Sequence, residues 1–296
     1  MFVSGLSDLP KSLKGNPCLE YIGFSLNEIG SEGFGALMNM PESVRRTISE
    51  LFLKGIMADK NALVKGVLRK VAGLEKLERF DFQGNRFEEG EQEPLIHVLC
   101  QLGNLQEVSL SSLSCDECSM LLKSPPPQLN AIRLFELSSA AVETALASCK
   151  TLQRVMICES EITKEVIKRS LKISLPSCNC LESLKLINCG IDSETACSII
   201  EAAKTCTTLQ LLDLSNNVIR STTEMCRLLQ GSSFTDLSLY HNNFNESSIG
   251  EFLALSSCQQ QQIPKIHLSM EWKDYAEGKL SNKKRIVFEE MFETNY

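Results

Sequence analysis

Apolar and polar residues alternate in short bursts along this chain, and the bursts return at a near-constant interval. In Leu209–Ile219, LQLLDLSNNVI, Leu212 and Leu214 share one side because strand side chains alternate with a period of two. Asn217 then breaks the pattern, since asparagine is depleted in strands. The same pattern starts at Leu19, Ile48, Leu77, Leu105, Leu129, Leu152, Leu181 and Phe234, with a degenerate copy at Ile263. Successive copies begin 23 to 29 residues apart. Between copies the period becomes helical. In DSETACSIIEAAKTC, Asp192 or Ser193 is a cap and Ala196, Ile199, Ile200 and Ala203 share one face. In STTEMCRLLQG, Met225, Leu228 and Leu229 do the same before Gly231. Pro125, Pro126 and Pro127 forbid helix at the end of one short copy.

The template, L-x-x-L-x-L-x-x-N-x-L, is that of a leucine-rich repeat array. The expected fold class is α/β: about ten repeats in a solenoid or horseshoe, with a parallel sheet on the concave face and helices on the convex face. Residues 1–17 read as an N-terminal cap, 18–270 as the repeat domain, and 271–296 as a C-terminal capping helix and tail. The helix is expected from the spacing of Ile286, Val287 and Met291. Where the chain leaves the strand and turns inward, a buried amide offers donors and an acceptor to backbone groups that no strand partner satisfies. Asn27, Asn85, Asn217 and Asn242 occupy that ninth position, with Ser160 and Cys189 as substitutes. Ile56, Leu113 and Leu137 depart from it, so the amide ladder is expected to be interrupted there.

The pattern and its 28–29 residue spacing resemble the ribonuclease-inhibitor class of leucine-rich repeats over about residues 18–270. That resemblance implies a protein-binding horseshoe whose concave face and rim grip a partner. Members of the class include enzyme inhibitors, sensor domains of innate-immune-like receptors and Ran-type GTPase-activating proteins. A glutamate-rich block near the C-terminus, FEEMFE, resembles the translocation signals of Legionella type IV secretion effectors. Some leucine-rich repeat members of that group inhibit other effectors. The resemblance implies a secreted effector acting in a host cytosol on another effector or a host protein.

Outward strand positions are the third, fifth and seventh of each copy. They carry Phe52, Phe135, Met156, Ile187, Leu211 and Tyr240 among Lys54, Arg79, Asp81, Arg133, Arg154, Lys185, Asp213 and Asp236. Phe135, Met156, Ile187, Leu211 and Tyr240 fall in consecutive copies and are expected to form one apolar stripe flanked by charge. An apolar centre with aromatic and arginine anchors is the anatomy of a protein interface. The expected partner-binding set is therefore Phe52, Arg79, Arg133, Phe135, Arg154, Met156, Lys185, Ile187, Leu211, Asp213, Asp236 and Tyr240.

Composition narrows the function classes. Of 296 residues, 43% are hydrophobic and 23% charged, the balance of an ordinary folded chain. The formal net charge of -7 argues against nucleic acid as a partner. No apolar run has membrane-span length, and the N-terminus lacks the basic and apolar regions of a secretory signal. The thirteen cysteines are odd in number, and the single CxxC, Cys115 to Cys118, has no second pair at zinc spacing. The thiols are expected to be reduced and to pack as small hydrophobes, with no metal and no cofactor, in a cytoplasmic monomer.

Catalysis finds little support. Only His97, His241 and His267 exist. His97 sits in an apolar helical stretch, where a structural role is expected. His241 lies near Asp213, Asp236, Ser215 and Ser238 on expected neighbouring strands, a Ser/His/Asp imitation without a nucleophile turn or oxyanion loop. Phosphate-cradling glycine motifs are absent. A GTPase activator needs one loop arginine, which Arg86 or Arg220 supplies in the alternative reading. The expected function is non-catalytic: binding a partner protein in order to inhibit or regulate it.

Overall fold

The computed structural model of the protein describes residues 9–13, 16, 18–256, 263–277, 279 and 285–289. The chain divides into two units, Met1–Ala145 and Leu146–Tyr296. In the first, β1 (Tyr21–Gly23), β2 (Glu50–Phe52), β3 (Arg79–Asp81), β4 (Glu107–Ser111) and β5 (Ala131–Phe135) lie side by side in chain order. All are parallel. The second holds β6 (Arg154–Cys158), β7 (Ser183–Ile187), β8 (Leu211–Asp213), β9 (Asp236–Ser238), β10 (Lys265–Ser269) and β11 (Ile286–Glu289). They too run parallel in chain order.

Equivalent template positions pair across neighbouring strands: Leu51 lies opposite Phe80, and Leu184 opposite Leu212. The fourth and sixth positions therefore stack into the core. Leu51, Leu53, Phe80 and Phe82 are buried in the first unit, as are Leu184, Leu186, Leu212 and Leu214 in the second. Helices cover the other side of this core. Ser193–Ala203 buries Ala196, Ile199, Ile200 and Ala203, and its cap is Asp192, which accepts from the Thr195 N–H at 2.8 Å. Thr223–Leu229 buries Met225 and Leu229. Cys115–Lys123 stops before the three prolines, which cannot supply the N–H groups a further turn needs. Among the described residues no helix is long and apolar enough to cross a membrane.

The C-terminal segment differs from expectation. Ile286 and Val287, read as part of a capping helix, belong to strand β11. Ile286 and Phe288 fall opposite Ile266 and Leu268, so this short segment follows the period-two alternation rather than helical spacing. Helix in this region is confined, among the described residues, to Lys273–Glu277 and a preceding 3-10 turn. Met291 and the end of the glutamate-rich block lie outside the described residues, as does most of the expected N-terminal cap.

One feature of every full copy has no counterpart in the template. The eighth position, just after the strand, has positive φ in Leu26, Gly55, Gly84, Ser112, Glu136, Glu159, Asn188, Asn216 and His241, with φ between 49° and 65°. The left-handed residue turns the chain out of the strand while its N–H bonds to the neighbouring copy. Leu26, Gly55, Glu159 and Asn216 donate to the carbonyls of Lys54, Gln83, Ile187 and Tyr240 at 2.7, 2.9, 3.2 and 2.8 Å. Side chains other than glycine and asparagine enter this conformation at a steric cost of about 1–2 kcal/mol.

The ninth-position asparagines Asn85, Asn217 and Asn242 tie each turn to the copy before it, whereas Asn27, in the first copy, is exposed and donates to the Phe24 and Ser25 carbonyls of its own turn. Asn217 Nδ2 donates to the carbonyls of Leu186, Leu214 and Ser215 at 2.8, 3.0 and 3.1 Å. Its Oδ1 accepts from the N–H groups of Cys189 and Ile191 at 2.9 and 3.1 Å. Asn85 and Asn242 repeat the arrangement. Cys189 takes the same place with a thiol that points at the carbonyls of Ile157 and Ile187 and accepts from the Ser160 N–H. Ile56, Leu113 and Leu137 are buried and apolar, so the ladder has the expected gaps.

At Leu113 other groups take over. The buried Glu117 carboxylate accepts from the N–H groups of Gly90, Gln92 and Ser114 at 3.1, 2.5 and 2.8 Å. Gln92 Nε2 donates to the Ser111 carbonyl at 2.7 Å.

Two substitutions test this account. Asn217→Ala strands several buried backbone groups and is expected to cost about 1–3 kcal/mol, read by chemical denaturation; an unchanged curve would place the amide in solvent. Glu159→Gly relieves the left-handed turn and is expected to stabilise by up to about 1 kcal/mol, after the greater freedom of glycine in the unfolded chain is counted. A loss of stability there would show that the side chain, not the backbone, matters.

Candidate partner-binding face

The expected site residues all lie on or beside strands, at the positions that face away from the core. They do not form the single apolar stripe that their spacing suggests. Phe135, Ile187 and Tyr240 occupy the seventh position and are buried, at 6, 4 and 8% exposure. In the second unit the whole seventh row is buried: Cys158, Ile187, Ser215, Tyr240 and Ser269. Neighbouring strands about 4.8 Å apart leave in-register side chains packed on one another at the turn, where the copies are bonded most closely. These residues therefore hold the turn together, and the open surface lies in the third and fifth rows.

In the first unit, Phe52 is half-buried, with its ring centroid 5.5 Å from that of the exposed Tyr21. Charges around it are matched. Arg79 pairs with Glu50 at 3.6 Å and Arg133 with Glu107 at 2.7 Å. Asp81 stands in the same two rows, and burial pushes its carboxyl up to about 6. The Gln83 N–H, Lys54 and Arg133 pull the other way without cancelling that cost.

In the second unit, Arg154 and Lys265 are exposed, while Met156, Lys185, Leu211, Asp236 and His267 are half-buried. Asp213 is buried at 8% exposure and its Oδ1 accepts from both the N–H and the hydroxyl of Ser215, at 3.0 and 2.6 Å. Burial raises the Asp213 carboxyl, against the lowering influence of Ser215, Lys185 and His267. For Asp236 burial also pulls upward, but hydrogen bonds from His267 and the Thr235 hydroxyl hold it below its ordinary range.

The histidine in this cluster is not the one expected. His241 occupies a left-handed eighth position, is exposed, and its N–H donates to Ser269 Oγ at 2.7 Å. His267, in the fifth position of the degenerate last copy, reaches Asp236 with its Nε2 2.9 Å from Oδ1. The signal was present in the template register: His267 is in register with Ser238, next to Asp236. His97 is on helix Glu93–Leu99 but exposed, where its Nε2 lies 3.2 Å from Gln101 Nε2. Among the described residues no group of His, Cys, Asp and Glu is placed to hold a metal.

Asp81 gives a pH-dependent test. A folded pKa raised above the unfolded value means that the native state holds the proton more tightly, so stability falls as pH rises from about 4 through about 6. Asp81→Asn removes the buried charge and keeps the acceptor. It is expected to stabilise the protein by on the order of 2 kcal/mol at pH 7 and by little at pH 4. Equal effects at both pH values in urea titrations would contradict a buried carboxylate.

No protein-family model matches the chain. It is similar to a ribonuclease inhibitor of Mus musculus, 24% identical over 216 residues, which cover 71% of this chain and 42% of that protein. The chain thus spans about two fifths of that relative's length. Among solved structures, an internalin C2 from Listeria monocytogenes superposes with a TM-score of 0.42 at 13% identity, covering 76% of this chain and 88% of that one. Human 5T4 does so with a TM-score of 0.41 at 16% identity, covering 84% and 80%. With its in-register parallel strands, its asparagine ladder and its repeating template, the chain has the fold of an α/β leucine-rich repeat solenoid, and in sequence it is similar to a ribonuclease inhibitor.

Proposed function

We propose that the chain is a non-catalytic protein-binding scaffold that recognises a partner protein through its strand face and inhibits or regulates it. The observation that carries this reading is the accessibility of the third and fifth rows. Met156 and Leu211 stay half-open beside Arg154, Lys185 and Asp236, although each stands in register with a residue of a neighbouring strand. Apolar residues held open among charged ones are what a protein interface needs before its partner arrives. The buried seventh-row residues Ile187 and Tyr240 belong to the frame beside this surface. Phe52, Arg79 and Arg133 form its counterpart in the first unit.

Inhibition is favoured over recruitment by the matched relative, which is named as a ribonuclease inhibitor. The buried, reduced thiols of Cys118, Cys149, Cys178 and Cys206 fit work in a reducing compartment such as a cytoplasm. The host cytosol is that compartment if the glutamate-rich C-terminal block acts as a secretion signal.

Affinity capture with the whole chain, followed by calorimetry on the purified partner, tests the proposal. Met156→Ala and Leu211→Ala are each expected to weaken binding by about 1–2 kcal/mol, because truncation in the dry centre of an interface is costly. Glu201→Lys on the helix side is expected to leave it unchanged. Tyr240→Ala is expected to destabilise the fold itself. Binding that survives both truncations and is lost with Glu201→Lys would put the interface on the helices.

A further inference from the structure

In the second unit, Cys149, Cys178 and Cys206 each stand three residues before the leucine that opens a copy: Leu152, Leu181 and Leu209. Copies stack in register, so this shared position brings thiols of successive copies together where the chain returns from helix to strand. Cys149 opens the 3-10 turn Cys149–Thr151, and Cys178 follows the 3-10 turn Leu175–Ser177. Both are buried, and their thiols lie within hydrogen-bond reach of each other. Each also has a backbone acceptor in its own copy. Cys149 Sγ donates to the Leu146 carbonyl at 3.0 Å, and Cys178 Sγ to the Ser174 carbonyl at 3.4 Å. The neighbouring thiols face elsewhere. Cys206 Sγ points at the carbonyls of Cys178 and Leu181 at 3.7 and 3.9 Å. Cys180 Sγ points at those of Lys150 and Leu152 at 3.4 and 3.7 Å.

The two contacting thiols are unlike. A hydrogen bond from Cys149, with the Lys150 charge in support, lowers the Cys178 thiol from its ordinary value, although burial opposes it. The same hydrogen bond and burial push Cys149 up. Cys178 is therefore the readier nucleophile, and Cys149 the partner that keeps its proton. The chain around Cys178 is open, with Ser177 and Asn179 exposed and Cys180 half-buried, so a small oxidant approaches from the loop side.

We infer that Cys149 and Cys178 form a peroxide-responsive dithiol whose oxidation ties two consecutive copies together. The Cys178 thiolate attacks hydrogen peroxide, the O–O bond breaks, and the departing hydroxide takes up a proton and leaves as water. Cys178 then carries a sulfenic acid. The Cys149 sulfur attacks the Cys178 sulfur, the S–O bond breaks, and the Cys149 proton leaves with the hydroxyl as a second water. Two thiols and one peroxide yield one disulfide and two waters, and a dithiol reductant reverses the bond by exchange. In a reducing compartment the pair rests as thiols, and the bond closes only when peroxide arrives. The pair lies at the return from helix to strand, so it serves this role whether or not the strand face binds a partner.

The test exposes the folded, reduced full chain to hydrogen peroxide, blocks the remaining thiols with iodoacetamide, and maps tryptic peptides without reduction. The peptide that holds Cys149 is expected to be joined to the one that holds Cys178 and Cys180, with fragmentation at Asn179 placing the bond on Cys178. Cys180→Ser is expected to keep the link and Cys178→Ser to lose it. In Cys149→Ser the sulfenic acid at Cys178 is expected to persist and to be captured by dimedone. The joined chain is expected to unfold at a higher urea concentration than the reduced one, with dithiothreitol restoring the lower midpoint. The map of the unaltered chain stands by itself should a serine variant fail to fold. Cysteines that all stay free overturn the inference and leave the thiols as packing alone. So does a Cys149–Cys178 link no more frequent than in the chain oxidised in urea. A link from Cys178 to Cys180 or Cys206 overturns the pairing, and dimedone capture at another cysteine overturns the choice of nucleophile. An unchanged or lower urea midpoint overturns the tie between copies.

Discussion

Backbone groups buried in the turn between strand and helix must find partners, and in this chain the neighbouring repeat supplies them. Left-handed eighth residues such as Gly55 and Asn216 donate their N–H sideways, and the amides of Asn85, Asn217 and Asn242 receive and return bonds across the same junction. An unsatisfied buried polar group costs about 1–3 kcal/mol, so a repeat standing alone would carry several such penalties at once. The repeat is therefore stable only as part of an array. Its strands must run parallel and in register, because any slip would move the amide away from the carbonyls it serves.

That constraint also decides what is left for binding. Holding the turns together buries the seventh row from Gln83 through Ser269, so large side chains such as Phe135 and Tyr240 belong to the frame. The third and fifth rows lie nearer the middle and beginning of each strand, away from the turn, and keep open side chains such as Arg79, Arg154, Met156 and Leu211, although Ser109, Ala131, Asp213 and Ser238 are buried among them. In the first unit Arg79 and Arg133 are matched by Glu50 and Glu107. Burial of Asp81 and Asp213 shows the same economy of space: carboxylates fit between crowded rows only at a cost to their charged form.

Where the ladder lacks its asparagine, the fold uses whatever donor and acceptor can reach. A thiol serves at Cys189, donating toward the Ile157 and Ile187 carbonyls and accepting, as the amide would, from the N–H of the copy before, at Ser160. At Leu113, Glu117 and Gln92 arrive from neighbouring helix starts to bond the same turn. Glu117 also closes the capping box with Ser114, so a single carboxylate joins the start of its own helix to the repeat before it.

The repeat, its parallel strands, the helix faces and the asparagine ladder were all readable from the order of residues, because each depends on a local period and on the chemistry of one side chain. Asn217 and the cap at Asp192 stand where that reading places them. Other features depend on distance in space. Ile286 has helical spacing in the chain but a strand neighbour in Ile266, and the open sheet edge outweighed the local period. The burial of Tyr240 and the approach of His267 to Asp236 arise between different copies, from the spacing and register of adjacent strands. Sequence by itself determined the repeating frame, since the frame is written in nearest neighbours along the chain; only the tertiary structure decided which outward residues remain open, since exposure is set by neighbours that are tens of residues away.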